Sequence, residues 1–183
     1  ELVAVEPLRA DAAAVLGGDV DRDEGGWMSD RNYFDDLADR LAAINGVGVE
    51  YGIADEAHPS GMSAAELGRI LYYGTKDGHI PARDYISDAV REVDMQSPVF
   101  FGRVLAAAYA GRSPLRHLED LADVAQQALY SSMQNYFAVP NAKATIRRKG
   151  FNDPLIHYGD LLGAVTAEVM WDAGGNANDA EVD

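Results

Sequence analysis

"VGVEYGI", residues 47–53, alternates Val47, Val49, Tyr51 and Ile53 with Gly48, Glu50 and Gly52. Period-two alternation, with β-branched and aromatic residues on one side, predicts a strand with one face buried. The chain's other strand pattern lies far away in sequence. "GAVTAEVMW", residues 163–171, alternates Val165, Ala167 and Val169 with Ala164, Thr166 and Glu168. The two strands must meet across the whole chain, and the segments between them read as helices. The expected fold class is therefore α+β: a small antiparallel sheet packed by several helices.

"SDRNYFDDLADRLAAING" predicts a helix that Ser29 or Asp30 caps and Asn45-Gly46 ends, with Tyr33, Phe34, Leu37, Leu41 and Ile44 as its apolar stripe. "SAAELGRILYYGT" predicts a second helix, with Ser63 and Glu66 as a capping box and Gly74 as the stop. "KDGHIPARD" reads as a turn and an extended stretch. A third helix starts at "DYISDAVREV" under an Asp84 cap, and a separate fourth segment begins near Ser97 with Pro98 in its first turn. The longest helix is expected to start near Ser113-Pro114, with Leu115, Leu118, Leu121, Val124, Ala128 and Met133 on its buried side. "NAKATIRRKG" reads as a short helix or turn. Arg147, Arg148 and Lys149 complement its C-terminal dipole and Gly150 supplies a left-handed cap. Pro154 then enforces an extended exit before Leu155 and Ile156 enter the core.

A length of 183 residues suits one domain, placed at residues 27–172. Residues 1–26 read as a flexible acidic N-terminal arm and residues 173–183 as a flexible C-terminal tail. No apolar run is long enough for a membrane span, and the first residues lack the pattern of a signal peptide. The chain starts at Glu1 rather than Met, which leaves room for processing. It has no cysteine, so disulfides and thiolate metal sites are excluded. The formal net charge is -15, made by 20 Asp and 10 Glu against 12 Arg and 3 Lys. Such a surface resembles that of halophilic proteins, which stay soluble where salt shortens the Debye length to roughly 3 Å at 1 M. It argues against a chain whose task is gripping nucleic acid phosphates.

Little in the sequence points to catalysis. His58, His79, His117 and His157 show no i, i+4 spacing of the kind a helical zinc site uses. Ser63, His157 and Asp160 can be drawn as a triad, but no G-x-S-x-G elbow exists. Asp19, Asp21, Asp23 and Asp30 trace the outline of a calcium loop, yet Glu24 stands where the sharp turn requires Gly. We expect no enzyme, no catalytic or metal-binding residue and no cofactor.

Several blocks in order resemble a known family. They are "VGVEYGI", a helix ending in Gly74-Thr75, "IPARDYISDAV" at residues 80–90, "TIRRKG" at 145–150 and "DPLIHYGDLLGAV" at 153–165. Together they resemble the neck and tail-completion proteins of long-tailed phages, also called virion morphogenesis or lambdoid tail-component proteins. Asp84 departs from that pattern, as do His157-Tyr158 and Tyr73. The resemblance implies a non-enzymatic virion subunit at the head–tail joint, at the neck or top of the tail, assembled in the host cytoplasm. Its partners would be copies of itself in a ring, expected to be a hexamer, and the neighbouring head-connector and tail proteins. DNA would only pass through the lumen, and no membrane is involved. With the halophilic composition, the resemblance points to a tailed virus of a haloarchaeon. Arg83, Arg147, Arg148, Lys149, His157 and Asp160 are the candidate interface residues. A tail terminator that caps the tail tube is the alternative within the same machine. A small halophilic hydrolase or metal-binding protein is the alternative from another class.

Overall fold

The computed structural model describes residues 30–156 and 159–171. The arm of residues 1–26, Asp19, Asp21 and Asp23 of the calcium-loop outline, His157, and the tail of residues 173–183 lie outside the described residues. Among the described residues, six helices accompany one two-stranded antiparallel sheet, so the fold is α+β as expected.

The sheet joins β1 (Val47–Ile53) to β2 (Val165–Trp171). Val47 lies opposite Trp171, Val49 opposite Val169, Tyr51 opposite Ala167 and Ile53 opposite Val165. This puts the apolar sets of both strands on one face, as the alternation requires. The Ala54 N–H donates to the Ala164 carbonyl at 2.7 Å and carries the ladder one step past the strands. On the outward face Glu50 stands directly opposite Glu168, a like-charge pair that opposes strand pairing.

The inner face packs on α4 (Leu115–Gln134), which contacts both strands and lies against α3 (Ile86–Tyr109). The core runs through Val49, Tyr51, Ile53, Tyr85, Leu121 and Leu129, joined by Leu155, Leu161 and Val165. Each fully buried Leu or Val contributes about 1.5–3 kcal/mol relative to exposure. The buried face of α4 is Leu118, Leu121, Ala122, Ala125, Leu129 and Met133. Leu115, Val124 and Ala128, expected there, are only partly buried. The alanines let α3 and the strands approach closely.

The expected third and fourth helical segments are one helix. α3 runs 24 residues with Pro98 inside it, and is longer than α4. A proline in a helix interior removes the N–H that would bond the carbonyl four residues back. Here that carbonyl belongs to Asp94, and the Ser97 hydroxyl donates to it at 3.3 Å. The replacement bond comes from the neighbouring residue, so the helix continues. Asp84 acts as expected at the start: its Oδ1 accepts the Ser87 N–H at 3.0 Å.

The shorter helices frame this unit. α1 (Asp30–Ala42) lies on α3 but buries none of Tyr33, Phe34, Leu37 and Leu41 fully. α2 (Ala64–Tyr73) begins at Ser63, whose Oγ accepts the Glu66 N–H at 3.1 Å. That is one half of the expected capping box. Gly68 of α2 sits so close to β1 that a Cβ would come within 2.5 Å of Ile53 Cδ1. Beside it the Tyr85 hydroxyl donates to the Gly68 carbonyl at 2.9 Å. α5 (Lys143–Lys149) and the four-residue α6 (Asp160–Gly163) complete the order, and α6 was not anticipated.

Two outcomes test this packing. Gly68→Ala should destabilise despite alanine's better helix propensity, because the methyl meets Ile53; Gly102→Ala, where a Cβ meets nothing, should stabilise by about 0.5–1 kcal/mol. Urea midpoints of the two variants should move in opposite directions. The second outcome concerns Tyr51, whose hydroxyl is buried without a hydrogen-bond partner and whose pKa burial pushes up to about 12. The unfolded tyrosine ionises near 10, so it loses protons before the folded one does. Its contribution is therefore intact below pH 10 and lost as pH rises toward 12. Tyr51→Phe should raise stability at neutral pH by about 1 kcal/mol and flatten the loss between about pH 10 and 12, read from denaturation midpoints across that range.

Candidate interface site

The block Ile80–Arg83 is held by a turn built on Gly74 and Thr75. Gly74 has φ 74°, and a Cβ there would lie 2.7 Å from the Ile80 carbonyl and 2.8 Å from the Ala82 nitrogen. Only glycine tolerates both the angle and the approach. The Thr75 N–H donates to the Ile80 carbonyl at 2.9 Å, and the Ile80 N–H donates back to Thr75 Oγ1 at 3.0 Å. Thr75 Oγ1 donates to Asp77 Oδ1 at 2.6 Å, which also accepts the His79 N–H. These bonds hold the Asp77 carboxyl below its ordinary pKa, the Thr75 bond most of all. The loop then returns to α2, where the Arg83 N–H is shared between the carbonyls of Leu71 and Tyr72 at 3.0 and 3.2 Å.

Arg83 points inward and is 4% exposed. Its Nη1 makes one long bond to the Pro81 carbonyl, 3.5 Å, and its Nε is buried without a partner. No carboxylate among the described residues forms an ion pair with it. Burial therefore lowers its pKa, opposed by Tyr136 nearby. Arg83, expected at an interface, is instead buried: its backbone N–H closes the end of α2 and its guanidinium reaches the Pro81 carbonyl. Tyr72 stands edge-on to both Tyr85 and Tyr73, at 5.8 and 4.8 Å between ring centroids. The Ser132 hydroxyl donates to the Tyr85 carbonyl and ties the end of α4 to the start of α3.

The cationic trio at the end of α5 divides. Gly150 takes the expected left-handed cap, φ 84°, and its N–H donates to the Ile146 carbonyl at 2.8 Å. Lys149 folds back on its own chain: Nζ donates to the Asp153 carbonyl at 2.7 Å and to the Ile156 carbonyl, and lies 5.0 Å over the Phe151 ring. Its pKa is lowered, first by burial, with Arg83 and Arg148 adding repulsion against Asp153. Asn141 braces the same turn through the Asp153 carbonyl and the Asn152 side chain. Arg147 and Arg148 are exposed, with no carboxylate partner among the described residues. Asp160 opens α6, exposed, and nothing among the described residues bonds its carboxylate to Arg83 or to the trio.

The site thus brings together Arg83, Tyr136, Lys149, Arg148 and Phe151, and the exposed Tyr73, Phe137 and Arg147 are chain neighbours of the residues that build it. It offers aromatic area and two guanidinium forks that have no carboxylate partner among the described residues. The aromatic members are not among the residues expected from the sequence; "YY" before Gly74 and "YF" after α4 are the signal for them. Among the described histidines, His58 bonds Ser60, His79 is exposed beside Asp77, and His117 is part-buried in α4. No cluster of three or more His, Cys, Asp or Glu among the described residues is arranged to hold a metal ion.

The division of the trio has a measurable consequence. Lys149→Ser removes two hydrogen bonds from an ionised donor and should lower stability by about 1–3 kcal/mol. Arg147→Ser and Arg148→Ser should each stay within about 0.5 kcal/mol of the parent. Chemical denaturation of the three single variants separates the roles.

Comparison with family models, with curated proteins and with solved structures gives no match for this chain.

Proposed function

We propose that this chain is a structural subunit of the head–tail joint of a tailed virus, assembled as a ring through which DNA passes. One observation carries the reading. The two sequence blocks that resemble neck and tail-completion proteins, Ile80–Arg83 and Thr145–Leu162, are remote in sequence and close in space. Arg83 of the first lies within electrostatic range of Lys149 of the second, and Tyr85, Leu155 and Leu161 share one core cluster. A pair of motifs that meets in one corner, with the exposed Arg147 and Arg148 in the second of them, fits a docking role better than a catalytic one.

The acid excess fits the same reading. Carboxylates around a lumen repel phosphates and leave DNA free to slide. Repulsion also acts within the subunit, where Glu50 faces Glu168 across the sheet. Salt relieves both, which favours a host with a saline interior.

The test is mass and melting as functions of salt. In about 3 M KCl the protein should sediment at several times its 19.7 kDa chain mass, and at about 0.05 M it should dissociate and melt lower. A monomer at every salt concentration would refute the ring. Arg147→Ser combined with Arg148→Ser should leave circular dichroism unchanged and weaken head–tail joining in a virion complementation assay.

A further inference from the structure

Helix α3 is apolar on two opposite sides. One side, with Val93, Val104, Ala107 and Ala108, is buried in the subunit. The other carries Met95, Val99, Gly102, Leu105 and Tyr109, all exposed, with Met95 at 67% and Val99 at 56%. At roughly 100° per residue, Pro98 and Ala106 fall on the same stripe, and between positions 95 and 109 no charged residue lies within roughly 60° of its centre line. The stripe is about 21 Å long. A helix that is apolar all round is normally covered all round; among the described residues α1 reaches only the Tyr109 end of this side, where the Tyr33 hydroxyl donates to the Tyr109 hydroxyl, and Met95, Val99 and Leu105 stay exposed. Near Met95 its borders are acidic, with exposed Glu92 and Asp94 on either side; Arg91, one turn before Met95 on the same line, is paired with Asp88 at 2.9 Å, and Arg103 stands on the Glu92 side further along.

The opposite character occurs elsewhere on the same subunit. The end of α4 exposes Phe137, at 60%, next in sequence to the Tyr136 that lies near Arg83, and the turn after α5 exposes Phe151 under Lys149, close in sequence to Arg147 and Arg148, which have no carboxylate partner among the described residues. This corner stands at the start of α3, where Ser132 bonds Tyr85, whereas the stripe begins about 13 Å further along the helix. A ring needs two unlike, complementary surfaces on each subunit, because a surface that meets its own kind makes a closed pair. An aliphatic stripe with acidic borders and an aromatic corner with a basic rim match in both respects.

We propose that the α3 stripe is the receiving half of the subunit contact and that its occupant is the aromatic corner of the next copy. Phe137 and Phe151 of one copy cover Met95, Val99 and Leu105 of its neighbour, and Arg147 and Arg148 meet Glu92 and Asp94. This inference rests on the ring reading and deepens it by naming both faces of the joint. The central Gly102, whose Cβ would meet nothing, leaves open space in the middle of the stripe.

The absence of native cysteine makes the test direct. Val99→Cys and Phe137→Cys, singly and together, are oxidised in about 3 M KCl and resolved without reductant. The double variant should give a ladder of linked chains that extends beyond two, and neither single variant should. A two-chain band from Val99→Cys alone would mean that two stripes face each other and would overturn the proposal, as would a double variant that stays unlinked. Val99→Glu, an exposed change, supplies an independent reading. It should weaken self-association at least about tenfold with circular dichroism unchanged. Undiminished association of Val99→Glu would reject this surface and leave the ring standing. A parent chain that is monomeric at all salt concentrations would reject the ring and this contact together.

Discussion

Seven residue pairs, from Val47–Trp171 to Ile53–Val165, join segments that more than a hundred residues separate. A two-stranded sheet is at best marginal alone in water. What makes this one stable is α4, which lies across both strands and offers Leu121, Ala122, Ala125 and Leu129 to their inner face. Gln126 of the same helix donates to the Val165 carbonyl at 2.7 Å and so adds a polar tie at the start of β2. Strand and helix depend on one another: without β2 the α4 face is exposed, and without α4 the strands have no core. The long separation makes this closure slow in entropic terms. The local α3–α4 hairpin, joined by the short Ala110–Pro114 connection, is the natural surface on which it occurs.

The strands were legible because period-two patterning survives in both, down to the register that sets Val49 against Val169. The left-handed Gly150 and the Asp84 cap were legible for a similar reason, since each is a local device with a local residue signal. The single α3 was not. Pro98 in isolation reads as a helix start, and only the geometry of the Ser97 hydroxyl on the Asp94 carbonyl shows how the helix passes through it. The buried face of α4 shifted toward Ala122 and Ala125 because alanine carries little pattern of its own. Its place is decided by how closely α3 approaches.

The candidate site divides along the same line. The sequence places Arg147, Arg148 and Lys149 together and gives no means to distinguish them. The distinction arises from the turn after Gly150. Pro154 and Leu155 are buried, so the carbonyls of Asp153 and Ile156 are brought within reach of Nζ, and Lys149 is drawn in to satisfy them. Arg83 was legible as a special position through its Ile-Pro-Ala-Arg setting, but its burial depends on Tyr136 and the end of α2, which arrive from elsewhere in the chain. A buried guanidinium with an orphaned Nε is a standing cost of roughly 1–3 kcal/mol for the unpaired donor. The surrounding core must offset it. That is consistent with a corner whose shape matters more than its stability.

Three features oppose the stability of the chain alone: the Glu50–Glu168 pair, the Arg83 guanidinium without an ion pair among the described residues and the exposed apolar side of α3. Their responses to salt and to association differ in direction. Screening weakens the acid–acid repulsion at long range, while contact ion pairs on a drying surface keep more of their strength. Apolar burial does not need screening at all. In the proposed ring, high salt would remove the general repulsion between acidic chains and leave the short-range match between an aliphatic helix face and an aromatic corner to choose the neighbour. At low salt the same charge would hold the apolar stripes of two chains apart. The acid excess would then set the condition under which the proposed contact forms.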